Sequence, residues 1–175
     1  MGARASTPLR RKKRATKAAP APPAPAPAGP ALIELAIISD PGEDLDNELA
    51  MGFLRHLTAL YPSLVVRGVV CNLRPARKWA ALMRQTLDAL DLKKVPVGVG
   101  DEVVPPRRDD KDADWAFIDP QAYSAIHADG QVLLLEAFEG AKDGALTLLC
   151  ISALTDAAAF LEEHEGLFPE RSRRS

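Results

Sequence analysis

Ile37-Ile38-Ser39-Asp40-Pro41-Gly42-Glu43-Asp44-Leu45-Asp46-Asn47-Glu48-Leu49-Ala50 decides how this chain reads, because five acidic residues and an asparagine crowd the exit of an apolar run. Leu32 to Ile38, bounded by Gly29-Pro30 and Pro41-Gly42, predicts a short buried strand. From Asp46 the period changes. Leu49, Phe53, Leu54, Leu57 and Leu60 recur at steps of three and four, which predicts a helix with that face turned inward and with Glu48, Arg55 and Thr58 off it. Asp44 or Asp46 caps that helix. A strand that feeds a helix through a Pro-Gly turn places its loop at the carboxyl edge of a sheet, where open α/β folds hold their ligands.

Two readings of the acids stand side by side. Capping and the helix dipole account for Asp46 and Glu48, and turn preferences account for part of the cluster. Asp40 precedes the turn and is not explained this way. With Asp44, Asp46 and Asn47 it can form an oxygen-rich nest for a hard cation such as Ca²⁺ or Mg²⁺.

Outward from this stretch, Leu64 to Cys71 is almost continuously apolar, as a strand covered on both faces should be. Pro75 suits the first turn of a helix reaching about Leu90, with Trp79, Leu82, Met83, Leu87 and Leu90 inside. Val95 to Gly100 is a short third strand. Residues 101–130 are hard to read: the charged run Arg107 to Asp112 and the patch Trp115 to Pro120 form either a lid or a surface excursion. Val132 to Lys142 predicts a helix, Ala145 to Ile151 a strand and Thr155 to Glu165 a helix. The order β-α-β-α-β-loop-α-β-α argues for an α/β fold: an open, mainly parallel sheet with helices on both faces. Its strand ends bring Asp40, Asn72 and Ile151 to one edge.

Asp40-Pro41-Gly42, followed by Asp46-Asn47 opening a helix, resembles the aspartate-rich signature of the inosine-uridine-preferring nucleoside hydrolases, usually Asp-Pro-Gly-x-Asp-Asp-Ala. Val69-Val70-Cys71-Asn72, Val95 to Gly100, and Leu148 to Asp156 resemble three further stretches of that family, in its order. The resemblance implies a Rossmann-like nucleoside hydrolase fold, incomplete because the match covers the family's N-terminal half only. It implies hydrolysis of the N-glycosidic bond of a ribonucleoside, with Asp40 taking the proton of a calcium-held water. Asp40, Asp46, Asn47 and the Ile151 backbone carbonyl would hold Ca²⁺, and Asp44, Asp46 and Asn72 would contact the sugar. The sequence also departs from the pattern. Two residues are inserted before Asp46-Asn47, Asn47 replaces a ligating carboxylate, Ile38 stands where the family has a further Asp, and the family's His-Gly element is absent from the lid region. The family's second half supplies another calcium-ligating Asp and a His that protonates the leaving base. The activity is therefore expected to need that half, and the alternative is a non-catalytic Rossmann-like module that binds a cation or a sugar.

Residues 1–30 stand apart. Seven Lys and Arg, no acid and an Ala/Pro tract predict a disordered basic arm, followed by a domain over 31–170 and a basic tail over 171–175. Met1-Gly2-Ala3-Arg4-Ala5-Ser6 fits an N-myristoylation pattern; a transit peptide, a nuclear-localisation patch and a plain solvated arm are the other readings, so a membrane partner is expected only with the lipid. Of 22 Lys and Arg, seven lie in the arm, leaving 15 against 24 acids, so the body is near −9. That disfavours nucleic acid as a partner of the folded part. Cys71 and Cys150 lack metal-ligand spacing and read as buried thiols in a reducing, cytoplasmic setting. His56, His127 and His164 are scattered and read as structural or exposed. An apolar sheet edge at the end of the match would favour a homo-oligomer.

Overall fold

In the computed structural model, which describes residues 31–42, 45–102 and 117–171, the run after Leu32 forms strand β1, Ile33–Ser39. Parallel neighbours flank it, β2 (Leu64–Cys71) on one side and β4 (Leu146–Cys150) on the other, and β3 (Val97–Val99) pairs with the far side of β2. The sheet order is therefore β3-β2-β1-β4, all parallel. Because the chain steps outward from β1 to β3 and then returns to the opposite side of β1, the strand order reverses between β1 and β4. In such sheets the carboxyl ends of the two strands at the reversal splay apart and leave a crevice for ligands.

Helices cover both faces. Ala36, Ile38, Val70 and Leu146 pack against α3 (Gly130–Gly140), α4 (Thr155–His164) and α5 (Leu167–Arg171), with Phe138 and Phe160 in tilted ring contact at 4.6 Å. Ile37, Val69, Cys71 and Val97 pack on the other face against α1 (Leu45–Leu60) and α2 (Ala76–Ala89), chiefly Met51, Leu54, Trp79, Met83 and Leu87. The alternation of Ala36, Ile37 and Ile38 between these cores is the period of two that a strand imposes. Polar groups brace the opposite end of the sheet: the buried Glu34 takes an ion pair from Arg67 and the backbone N–H of Lys142. Arg67 sits where the β1–β2 register shifts, and its guanidinium reaches back to Glu34.

One expectation is overturned. Of the five apolar residues expected on the inner face of α1, Leu54 is buried; Leu49, Phe53, Leu57 and Leu60 are exposed. The buried face is Asn47, Met51 and Leu54. Asn47 hydrogen-bonds Ser39 and Asp40 at the end of β1, and that anchor sets the helix rotation. Since a helix turns by about 100° per residue, fixing Asn47 inward carries Leu49 to the far side.

Smaller differences follow from caps. α3 starts at Gly130 rather than Val132, because the Asp129 carboxylate accepts the N–H groups of Gln131 and Val132. A 3-10 turn over Pro120–Ser124, capped by Asp119, occupies part of the poorly legible region, and Gly98 bridges His127 beyond it. The sequence pattern gives no sign of α5; Leu167 and Phe168 dock it on the α3 side of the core. The arm, the charged run 107–112, Glu43, Asp44 and the tail 172–175 lie outside the described residues. Among the described residues no helix is long and apolar enough to cross a membrane.

Candidate functional site at the strand reversal

Asp40 leaves β1 at the carboxyl edge, half-buried, followed by the turn Pro41-Gly42. Gly42 has φ +104°, and a Cβ there would meet the Trp79 ring at 2.3 Å, so the turn needs glycine for both conformation and space. The turn brings α1 back over the strand end, and Asn47 in its first turn closes a local frame. Ser39 Oγ donates to Asn47 Oδ1 at 3.2 Å, and Asn47 Nδ2 donates to Asp40 Oδ1 at 3.0 Å and to the Asp40 carbonyl at 3.3 Å. This frame fixes the Asp40 carboxylate at the strand end. Asp46 is exposed and lies inside the first turn of α1, where its Oδ1 accepts the N–H of the next residue, Asn47, at 3.0 Å; the position before the helix is Asp44, outside the described residues.

The neighbouring strands end at the same level. Asn72 N donates to the Ser39 carbonyl at 3.1 Å, Gly100 N to the Cys71 carbonyl at 2.8 Å, and Ile151 N to the Ile38 carbonyl at 2.9 Å. Asp40, Asn72 and Ile151 thus do share one edge, with Asp40 and Ile151 on the two strands that flank the reversal.

Asn72 is fully buried and fully engaged: Nδ2 donates to the Ala153 carbonyl at 2.9 Å and to Asp156 Oδ2 at 2.8 Å, while Oδ1 accepts from Ser152 Oγ. Its side chain ties β2 to the loop after β4. Sequence spacing does not single out Asp156 as a site residue, although it ends the motif-like stretch Leu148 to Asp156. This buried carboxylate also accepts the Asp101 N–H at 3.0 Å and Gln131 Nε2 at 3.3 Å, so it fastens the ends of β2 and β3 to α3 and α4. Gly100 lies so close that a Cβ would fall 2.9 Å from Asp156 Oδ1 and from Asn72 Cβ. Burial pushes the Cys71 thiol well above its usual pKa, and the Asp40 and Asp156 carboxylates push it further.

The donors suit calcium in part. The Asp40 carboxylate and the Ile151 carbonyl are hard oxygens on adjacent strand ends, as such an ion prefers. Asn47 turns its amide nitrogen, not its oxygen, toward Asp40. Among the described residues no group of three or more His, Cys, Asp and Glu is placed to hold a metal.

A parallel α/β sheet with its reversal beside a fixed aspartate has nucleoside hydrolase-like folds as structural neighbours. They include the type III effector XopQ, solved with adenosine diphosphate ribose (23% identity, 81% of this chain and 41% of that chain, TM-score 0.64), and the effector XOO4466 (22%, 81% and 42%, 0.62). A plant nucleoside hydrolase, PpNRh1, matches over 79% of this chain and 45% of its own, at 17% identity and TM-score 0.57. The chain thus spans less than half the length of the solved structures it matches. No family model and no curated protein matches the sequence.

Proposed function

We propose that this chain carries one half of a nucleoside hydrolase-like site, and that the whole site hydrolyses the N-glycosidic bond of a ribosyl ligand. The observation that carries the reading is Asp40, held by Asn47 at the sheet reversal, where this fold class places ligands. Asp40 is the proton acceptor. Its carboxylate collects the proton of a water attacking the anomeric carbon, and its negative charge stabilises the cationic sugar that develops. Asn47 keeps that carboxylate in one orientation, and Asn72 and Asp156 hold the neighbouring strand end in place. Asp40 and the Ile151 carbonyl would be this chain's ligands to a calcium ion, which when bound lowers the pKa of its water.

The ligand class is a ribonucleoside, of purine or pyrimidine type as in the inosine-uridine-preferring branch, or a larger ribosyl compound of the kind found in the XopQ complex. A second reading, binding without turnover, draws on the occupied side chain of Asn72, whose polar atoms are all committed within the protein. Calorimetry separates the readings. Calcium, then ribose and adenosine diphosphate ribose, should bind the chain, with Asp40→Asn weakening calcium at least tenfold and Glu43→Gln leaving it little changed. Equal effects of the two substitutions would reduce the loop to an acidic surface. A reducing-sugar assay on inosine and uridine reports turnover.

A further inference from the structure

The outward face of α1 is mostly apolar, with Asp46 and His56 as exposed polar residues on it. Leu45 (77% exposed), Leu49 (62%), Phe53 (68%), Leu57 (40%) and Leu60 (57%) follow one another at steps of three and four, and Tyr61 (56%) continues them past the helix end. They form one stripe on the side away from Met51 and Leu54. Surface helices of folded domains normally show water the opposite pattern. From their exposures these six side chains present on the order of 100 Å² each, or roughly 600 Å² in all. That is at the upper end of the largest patch a monomer keeps, about 300–600 Å², and close to the ~800 Å² each partner contributes to a stable complex.

We infer that this stripe is a homodimer interface, with α1 packing antiparallel against α1 of a second copy across a two-fold axis near Phe53. Self-pairing fits because the stripe is mostly apolar, with its one acid, Asp46, near one end, and is centred on the helix. A two-fold axis there opposes Leu49 to Leu57 and sets Phe53 against its own counterpart, so one patch supplies both sides. The two helix dipoles then run head to tail. A membrane surface is a poorer occupant, since the helix flank toward the sheet is buried rather than lined with exposed Lys or Arg.

Sedimentation equilibrium of the full chain tests the interface. The wild type should be dimeric at micromolar concentration. Phe53→Glu and Leu49→Glu, both on the exposed face, should each weaken the dimer at least 30-fold and leave the thermal midpoint of the diluted monomer within a few degrees of wild type. In a Cys150→Ser background, Phe53→Cys should cross-link to a disulfide dimer on mild oxidation, whereas Lys78→Cys should not. A wild-type monomer at 100 µM overturns the inference. So does a dimer that both glutamate variants leave intact, or a monomer that sediments with phosphatidylcholine/phosphatidylserine vesicles. None of these readings depends on whether Asp40 does chemistry.

Discussion

Asp156 is held by three neutral donors, the side-chain amides of Asn72 and Gln131 and the backbone N–H of Asp101, from three separate elements. Asp156→Ala would strand those donors in a buried setting, and we expect a loss of about 3 kcal/mol, read as a lower urea midpoint at unchanged slope. A loss below 0.5 kcal/mol would remove Asp156 from its bracing role. Cys71 makes a pH prediction. Its folded pKa is raised, first by burial and then by Asp40 and Asp156. The stability tied to its protonated thiol is therefore fully present below the unfolded pKa of about 8.5 and is lost as pH rises through the folded value. Unfolding measured from pH 7 to 10 should show a falling midpoint above pH 8.5, steeper than in Cys71→Ala by up to about 1.4 kcal/mol per pH unit. Parallel curves for the two proteins would rule this out. Asp40 is legible as a candidate because it precedes the turn, where capping and the helix dipole do not account for it. Asp156 is not, because from sequence an aspartate in the first turn of a helix reads as a dipole partner; its burial comes from tertiary neighbours.

At the scale of elements, period and punctuation locate four strands and four helices, and caps correct their ends. α3 gives the cleanest case, since Asp129 satisfies two N–H groups that would otherwise lack partners. Asp129→Ala should cost about 1 kcal/mol in thermal or urea unfolding, and Asp129→Ser should recover most of it. If serine does no better than alanine, the cap is not what starts the helix. Helix α1 shows where periodicity misleads: the spacing finds the apolar face and points it the wrong way. Apolar residues at steps of three and four identify a stripe, and the usual inference that the stripe faces the sheet assumes no stronger orienting contact. Here Asn47 supplies that contact through Ser39 and Asp40. The polar residue that builds the site also leaves the apolar stripe outside, so site and proposed interface share one cause. Short α5 escapes notice because five residues are too few to show a period.

For the whole molecule, element order predicts a parallel α/β sheet, whereas strand order cannot be read from it: β3-β2-β1-β4 depends on which side of β1 the chain returns to after α3. That return creates the strand reversal at which such sheets hold ligands, and what the chain places there limits what it can do. Of the described acids at the strand ends, Asp40 takes a hydrogen bond from Asn47 at the end of β1, while Asp156 is committed to the brace. His56 and His127 are exposed, and His164 stacks on Phe160 at 4.8 Å, within the α3 side of the core. His127 pairs with β3, which lies on the far side of β2 from Asp40, and a group that protonates a leaving base must come within hydrogen-bond reach of it. Such a proton donor is typically worth ~10² to 10⁴ in rate, and the solved structures that share the fold are more than twice as long as the matched segment. We therefore expect the purified 175-residue chain to bind a ribosyl ligand through Asp40 without hydrolysing inosine or uridine at a useful rate. Added imidazolium should raise any residual rate, because a small diffusible acid can stand in for a missing proton donor while Asp40 already supplies the base. Robust hydrolysis by the chain alone, abolished by Asp40→Asn, would show that a residue within it supplies the acid and would sink the half-site reading.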